Sequence, residues 1–205
     1  MLHLPPSTRI NKQLPKKAIY EKFKLNTSQQ KSMDADISRM VLVNEIANRT
    51  INIADGTDIK SIFVLSVKLK TDSYSEKNIL MLFKLIPQKL VLVLNFENKE
   101  RVVVYYQKRL FQTDWETINE TRLYLQGLNL DEVWNRIIMQ IGHISLEQEN
   151  TLDEQIRINE YQQQLNRKIV LLEKRVYMEK QPKKKLALFN ELQELKKQYN
   201  IKSIN

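Results

Sequence analysis

The chain has 205 residues, 42% of them apolar, enough core material for one domain with an appendage or for two small units. It has no cysteine, which removes disulfides, thiolate metal sites and cysteine nucleophiles together, and its two histidines and three glycines leave little for a catalytic histidine or a Gly-rich phosphate cradle. The formal charge of +9 sits at the ends: residues 1–50 carry nine Lys or Arg against four acids and 151–205 carry twelve against seven, whereas 51–150 balance at twelve against thirteen.

A surface basic at both ends attracts polyanions in general, nucleic acid and acidic protein alike. Residues 1–6 lack the charged flank and apolar stretch of a signal peptide, and no apolar run approaches the roughly 20 residues that cross a bilayer. The expectation is a soluble cytoplasmic protein with no membrane partner.

In chain order, the basic, Pro-punctuated opening predicts a short helix from Pro15, because proline fits the first helical turn. A second helix is expected near Ser28, with Met33 and Ile37 on one face, followed by a buried strand over 39–46. Asp55-Gly56-Thr57-Asp58 is a turn. Residues 59–70 alternate, with Phe63, Leu65, Val67 and Leu69 on one side and Ser66, Lys68 and Lys70 on the other, as in a half-buried strand. Ser73 and Glu76 predict a capping box opening a helix with Ile79, Leu82, Phe83 and Ile86 in one stripe, stopped by Pro87. The continuous run 90–96 reads as a central strand, turned by Glu97-Asn98-Lys99-Glu100 into an antiparallel partner over 101–106. A short strand is expected at 121–125, and Asn129 with Glu132 should cap a core helix carrying Val133, Trp134, Ile137, Ile138 and Ile141. Strand, helix, strand, strand implies a mixed α/β (α+β) sheet with flanking helices.

Gly142 reads as the joint between a globular body, 1–143, and a C-terminal unit, 144–205. In that unit Leu165, Ile169, Leu172 and Val176, then Leu188, Leu192, Leu195 and Tyr199, repeat at coiled-coil spacing on either side of the basic turn Gln181-Pro182-Lys183-Lys184-Lys185. Two such stripes bury each other as an antiparallel helical hairpin. Ile156, Ile158, Tyr161, Leu171, Leu186 and Phe189 lie off that seam and supply a second apolar face for a partner.

One constellation resembles enzyme machinery. Asp55 or Asp58 followed by Ser66-Val67-Lys68 follows the order of a restriction-type nuclease, in which a metal-binding acid precedes an acid-x-lysine pair. Holding a hard cation needs clustered carboxylates, and serine stands where the second acid belongs. A turn aspartate followed by the solvent face of a strand explains the same residues. His3 and His143 have no ligand spacing, so no catalytic residue, metal or cofactor is expected. Lys180, Lys183, Lys184 and Lys185 suit first a solvated turn near a helix C-terminus and, as the sharper alternative, a contact for DNA phosphates or an acidic partner.

The opening Leu4-Pro5-Pro6-Ser7-Thr8-Arg9-Ile10-Asn11-Lys12 with Leu14-Pro15-Lys16, the segment Thr50-Ile51-Asn52-Ile53-Ala54-Asp55-Gly56, and Leu85-Ile86-Pro87 entering the central strand resemble the bacterial domain of unknown function 4391 family. So do Gly127-Leu128-Asn129-Leu130-Asp131 and the run from Glu179-Lys180-Gln181 through Asn190-Glu191-Leu192, so that the likeness covers nearly the whole chain. The resemblance implies no reaction. Members are commonly encoded beside helicases and DNA methyltransferases of restriction or phage-defence type, which implies an accessory subunit of such a system. Members often place an acid where this chain has Ser66, a departure that weakens a nuclease reading further.

These observations lead to a non-enzymatic accessory subunit whose hairpin docks on a helicase or DNA methyltransferase. Two alternatives stay open: a direct nucleic-acid-binding module using Arg9, Lys12, Lys16, Lys17 and the four hairpin lysines, and a degenerate restriction-type nuclease fold without activity. Self-association through the hairpin is also open.

Overall fold

The apolar runs of the first half of the chain pair into one mixed sheet. The computed structural model describes residues 2–147 and 150–202, and these fall into two compact units that meet between Ile144 and Ser145. In the first unit the strands β1 (Arg9–Gln13), β2 (Ile37–Ala47), β3 (Ser61–Leu69), β4 (Lys89–Phe96), β5 (Lys99–Tyr106) and β6 (Arg109–Gln112) lie side by side in chain order, and β7 (Glu116–Thr117) pairs with β5. Neighbours are antiparallel except β3 and β4, which are parallel. A parallel pair needs a crossover, supplied here by helix α4 (Glu76–Leu85). Helices α1 (Lys16–Phe23), α2 (Thr27–Asp36), α3 (Asn48–Ile51) and α5 (Leu130–Gly142) complete the unit.

Strand side chains alternate between faces, so each strand contributes to two layers. On one face Met40, Leu42, Leu65, Val67, Leu92, Leu94 and Val103 join Ile19 of α1, Met33 of α2 and Ile79 and Leu82 of α4 in one buried cluster. The opposite face holds Val64, Val91, Val93, Val102 and Val104, all fully buried, and there α5 packs against β5 and β6 with Val133, Trp134, Ile137 and Ile138 inward. Helix α5 covers the β5–β6 side of that face. Toward the carboxyl ends of β3 and β4 it leaves Ser66 and Asn95 half-buried and Lys68 exposed.

The second unit is a helical hairpin of α6 (Leu152–Met178) and α7 (Pro182–Lys202). Leu165, Ile169, Leu172 and Leu192 are buried, with Val176, Leu188, Leu195 and Tyr199 packed on them, so the seam comprises the eight residues expected from spacing. Lys196 Nζ bonds Glu173 at 2.7 Å across the two helices, an exposed pair beside the seam.

Four local expectations are corrected. Ile37 opens β2 rather than continuing the helical face of Met33, because α2 ends at Asp36. Ser73 and Glu76 form no capping box: Ser75 is the N-cap of α4, and the Ser75 N–H donates to Asp36 at 2.8 Å, so a distant carboxylate organises that terminus. Residues 121–125 are irregular, because the Tyr124 N–H and carbonyl bond the Gln140 side chain of α5 (2.9 and 2.8 Å) instead of a neighbouring strand. Finally, Lys183, Lys184 and Lys185 are not in the hairpin turn. Pro182 is the first helical residue of α7, where its missing N–H costs nothing, so the three lysines occupy the first turn of that helix.

Candidate functional site

The structure separates the residues that order along the chain had grouped as nuclease-like. Asp55 and Asp58 lie in the loop before β3, and Ser61, the foot of the strand, is already roughly 16 Å of strand (about 3.3 Å per residue) from Ser66. The carboxylate that acts in that loop is Asp131, in the first turn of α5. It accepts backbone N–H groups from Thr57 at 2.6 Å and Ile59 at 2.9 Å. Gly56 is required by this approach, since a Cβ there would fall 2.2 Å from Asp131 Oδ1. The Asp-Gly-Thr-Asp turn is thus a docking loop for the start of α5. Among the described residues no group of three or more His, Asp or Glu side chains is placed to hold a metal ion.

Ser66 and Lys68 remain together on the open sheet face, in a groove lined also by Arg39, Val41, Val43, Asn95, Glu97 and Ile118. Asn95 Nδ2 donates to Ser66 Oγ at 3.1 Å and to the Val93 carbonyl at 2.9 Å, which fixes both side chains. Sequence inspection missed Arg39 and Asn95, because only the register brings them beside Lys68: Arg39 lies opposite Lys68 on β2, and Asn95 lies beside it on β4. Next to Asn95 on β5 is Glu100, fully buried, with Oε1 accepting from the Asn119 N–H at 3.0 Å and Oε2 without a partner.

The basic residues of the N-terminal segment divide in two. Arg9 and Lys12 are exposed on β1, and Lys17 is exposed beside Glu21 at 3.6 Å. Lys16 is committed to structure: its ammonium bonds the Asp34 carboxylate and the Ile37 carbonyl (2.9 Å). The ammonium, together with the Tyr20 hydroxyl at 2.6 Å, holds the Asp34 carboxyl below its usual range. The Tyr20 phenol in turn is pushed up to about 12 by burial and by that carboxylate.

On the hairpin, Tyr161, Leu171, Leu186 and Phe189 are exposed, Ile158 is half-buried and Ile156 is buried. Tyr177 (86% exposed) and Met178 (75%), which heptad spacing does not single out, lie at the end of α6. At about 100° per residue, Val170, Tyr177 and Phe189 fall on the flank that carries Glu173 and Lys196, while Leu171 falls on the other. Lys180, Lys183, Lys184 and Lys185 are all exposed. No described helix is long and apolar enough to cross a membrane.

The family model described as Domain of unknown function (DUF4391) matches residues 2–199, spanning the sheet, the docking loop and both helices of the hairpin. No curated protein and no solved structure matches the chain. With almost its whole length inside that match, the chain belongs to the domain of unknown function 4391 family.

Proposed function

We propose that this chain is a non-enzymatic interaction subunit that docks through the tip of its hairpin on a helicase or DNA methyltransferase of a restriction or phage-defence system. The observation that carries the reading is the tip itself. Tyr177 and Met178 at the end of α6 are 86% and 75% exposed, and Val170 and Phe189 are exposed on the same flank as Tyr177; isolated exposed hydrophobics would be unremarkable, but a group on one flank marks a contact surface. The same stretch, 170–189, holds six Lys or Arg against two Glu. A partner surface that is apolar at its centre and acidic at its rim would be complementary to it.

The position of Lys183, Lys184 and Lys185 supports a contact role over a purely solvated one. A helix N-terminus carries partial positive charge, so three cations in the first turn of α7, with no acid there, oppose helix stability. Only Lys180, after the end of α6, is where the dipole favours a cation.

The test is affinity purification of the tagged full chain from its native host, with and without nuclease, for wild type and a Tyr177→Glu/Phe189→Glu variant, scored for recovery of a helicase or methyltransferase. Recovery that survives nuclease and is lost in the variant is the expected result. Recovery only of nuclease-sensitive material would move the assignment to the second reading, direct nucleic-acid binding by Arg9, Lys12, Lys17 and the hairpin lysines.

A further inference from the structure

We propose that the open face of the sheet, at the carboxyl ends of β3 and β4, is a binding groove for the phosphate of a nucleotide. Independently of the hairpin, four observations within the sheet unit lead there. Arg39 and Lys68 are directly opposed across β2 and β3. Like charges in that relation destabilise a strand pair, and neither has a carboxylate at ion-pair distance among the described residues. An oxyanion seated between them turns this repulsion into two charge-assisted hydrogen bonds.

Second, the donors converge. Asn95 continues the same rung beside Lys68, and Ser66 Oγ, accepting from Asn95 Nδ2 at 3.1 Å, keeps its own O–H to donate. Arg9 lines an adjoining cavity that shares Val43 with this one, so a third cation without an ion-pair partner borders the same open face. Third, the volumes are those of small-ligand sites, about 380 Å³ for the groove and 590 Å³ for its neighbour, and Val41, Val43 and Ile118 give the groove apolar surface for a planar body. Glu97 is the one acid in its lining; it is an acceptor suited to sugar hydroxyls, and alone it does not make a divalent-metal site. Fourth, the groove opens at the carboxyl ends of the parallel pair, the place where open α/β sheets receive ligands.

The shared chemistry is a phosphate ester on a nucleoside, carried either by a free mononucleotide or by a residue within a single strand. Calorimetric titration of the full chain tests it with AMP, adenosine, inorganic phosphate and a 12-nucleotide single strand. One saturable site for AMP, competition by inorganic phosphate, and binding of adenosine at least about tenfold weaker are expected. Arg39→Gln/Lys68→Gln should weaken AMP by at least about tenfold without lowering Tm, since both side chains are exposed and mutually repelling. Arg9→Gln, at the border, provides a second variant with a smaller loss. A strand that binds tighter than AMP, with log affinity falling linearly in log salt, identifies the strand as the source; a strand no tighter than AMP identifies the free nucleotide. No saturation by AMP or strand at millimolar concentration, equal binding of adenosine and AMP, or affinity unchanged in Arg39→Gln/Lys68→Gln would each overturn the proposal.

Discussion

Two acidic residues of similar chemistry have opposite roles in this protein. Asp131 earns its place through geometry: at the start of α5 it is favoured by the helix terminus, and it satisfies N–H groups of the loop at 56–59 that would otherwise lack partners. Asp131→Ala should destabilise by about 1–3 kcal/mol, the cost of leaving those donors unpaired, and thermal unfolding followed by circular dichroism would register it as a lower Tm. Glu100 is fully buried with one oxygen unpartnered, so its charge is desolvated with half of its hydrogen bonding missing. Glu100→Gln retains the acceptor for Asn119 and removes the charge; stability should rise by about 1 kcal/mol in urea titration, and a fall of that size would show that Oε2 has a role in the native state. The sequence alone distinguishes neither residue, since each reads as an ordinary acid next to a turn.

Elements divide the same way between what pattern dictates and what packing decides. The seam of the hairpin is legible from spacing because both helices present one apolar stripe and the two stripes cover each other. Leu192→Ala, at 5% exposure, should cost about 2–5 kcal/mol in the hairpin and reduce helicity at 222 nm, whereas Leu186→Ser at 61% exposure should stay within about 0.5 kcal/mol. Lys183→Glu at the first turn of α7 reverses an unfavourable charge, and a gain of about 0.3–1 kcal/mol is expected. If the hairpin tip docks as proposed, the same substitution weakens co-purification with the partner. The start of α4 illustrates the limit of local reading: the Ser73 to Glu76 spacing is correct for a capping box, but Asp36, nearly 40 residues earlier, reaches Ser75 and the Asn78 side chain (2.6 Å) and moves the cap by two residues.

For the whole molecule, stability should fall at both extremes of pH through the cluster that ties α1 to α2. The Asp34 carboxyl titrates below its unfolded value, so its contribution is full above pH about 4 and is lost as pH falls through the folded pKa. The Tyr20 phenol titrates above its unfolded value near 10, so its contribution is full below that pH and is lost as pH rises through about 12. Tyr20→Phe removes the alkaline loss and weakens the acid one. Urea midpoints of wild type and variant measured across pH would check both limbs, and identical profiles would refute the assignment.

By itself the sequence determined the mixed sheet and the hairpin with its seam, because each follows from a periodicity or a turn signal that acts over a few residues, and it carried the family in motifs spread along the whole chain. Only the tertiary structure decided which chemical groups meet. Strand register set Arg39 opposite Lys68 and Asn95 beside it, and the same β3 that carries Ser66 and Lys68 holds them away from Asp55 and Asp58 at its other end. The physical reason is that register slides in steps of one residue, each of which exchanges the two faces of a strand, and no local preference of the chain records which step wins.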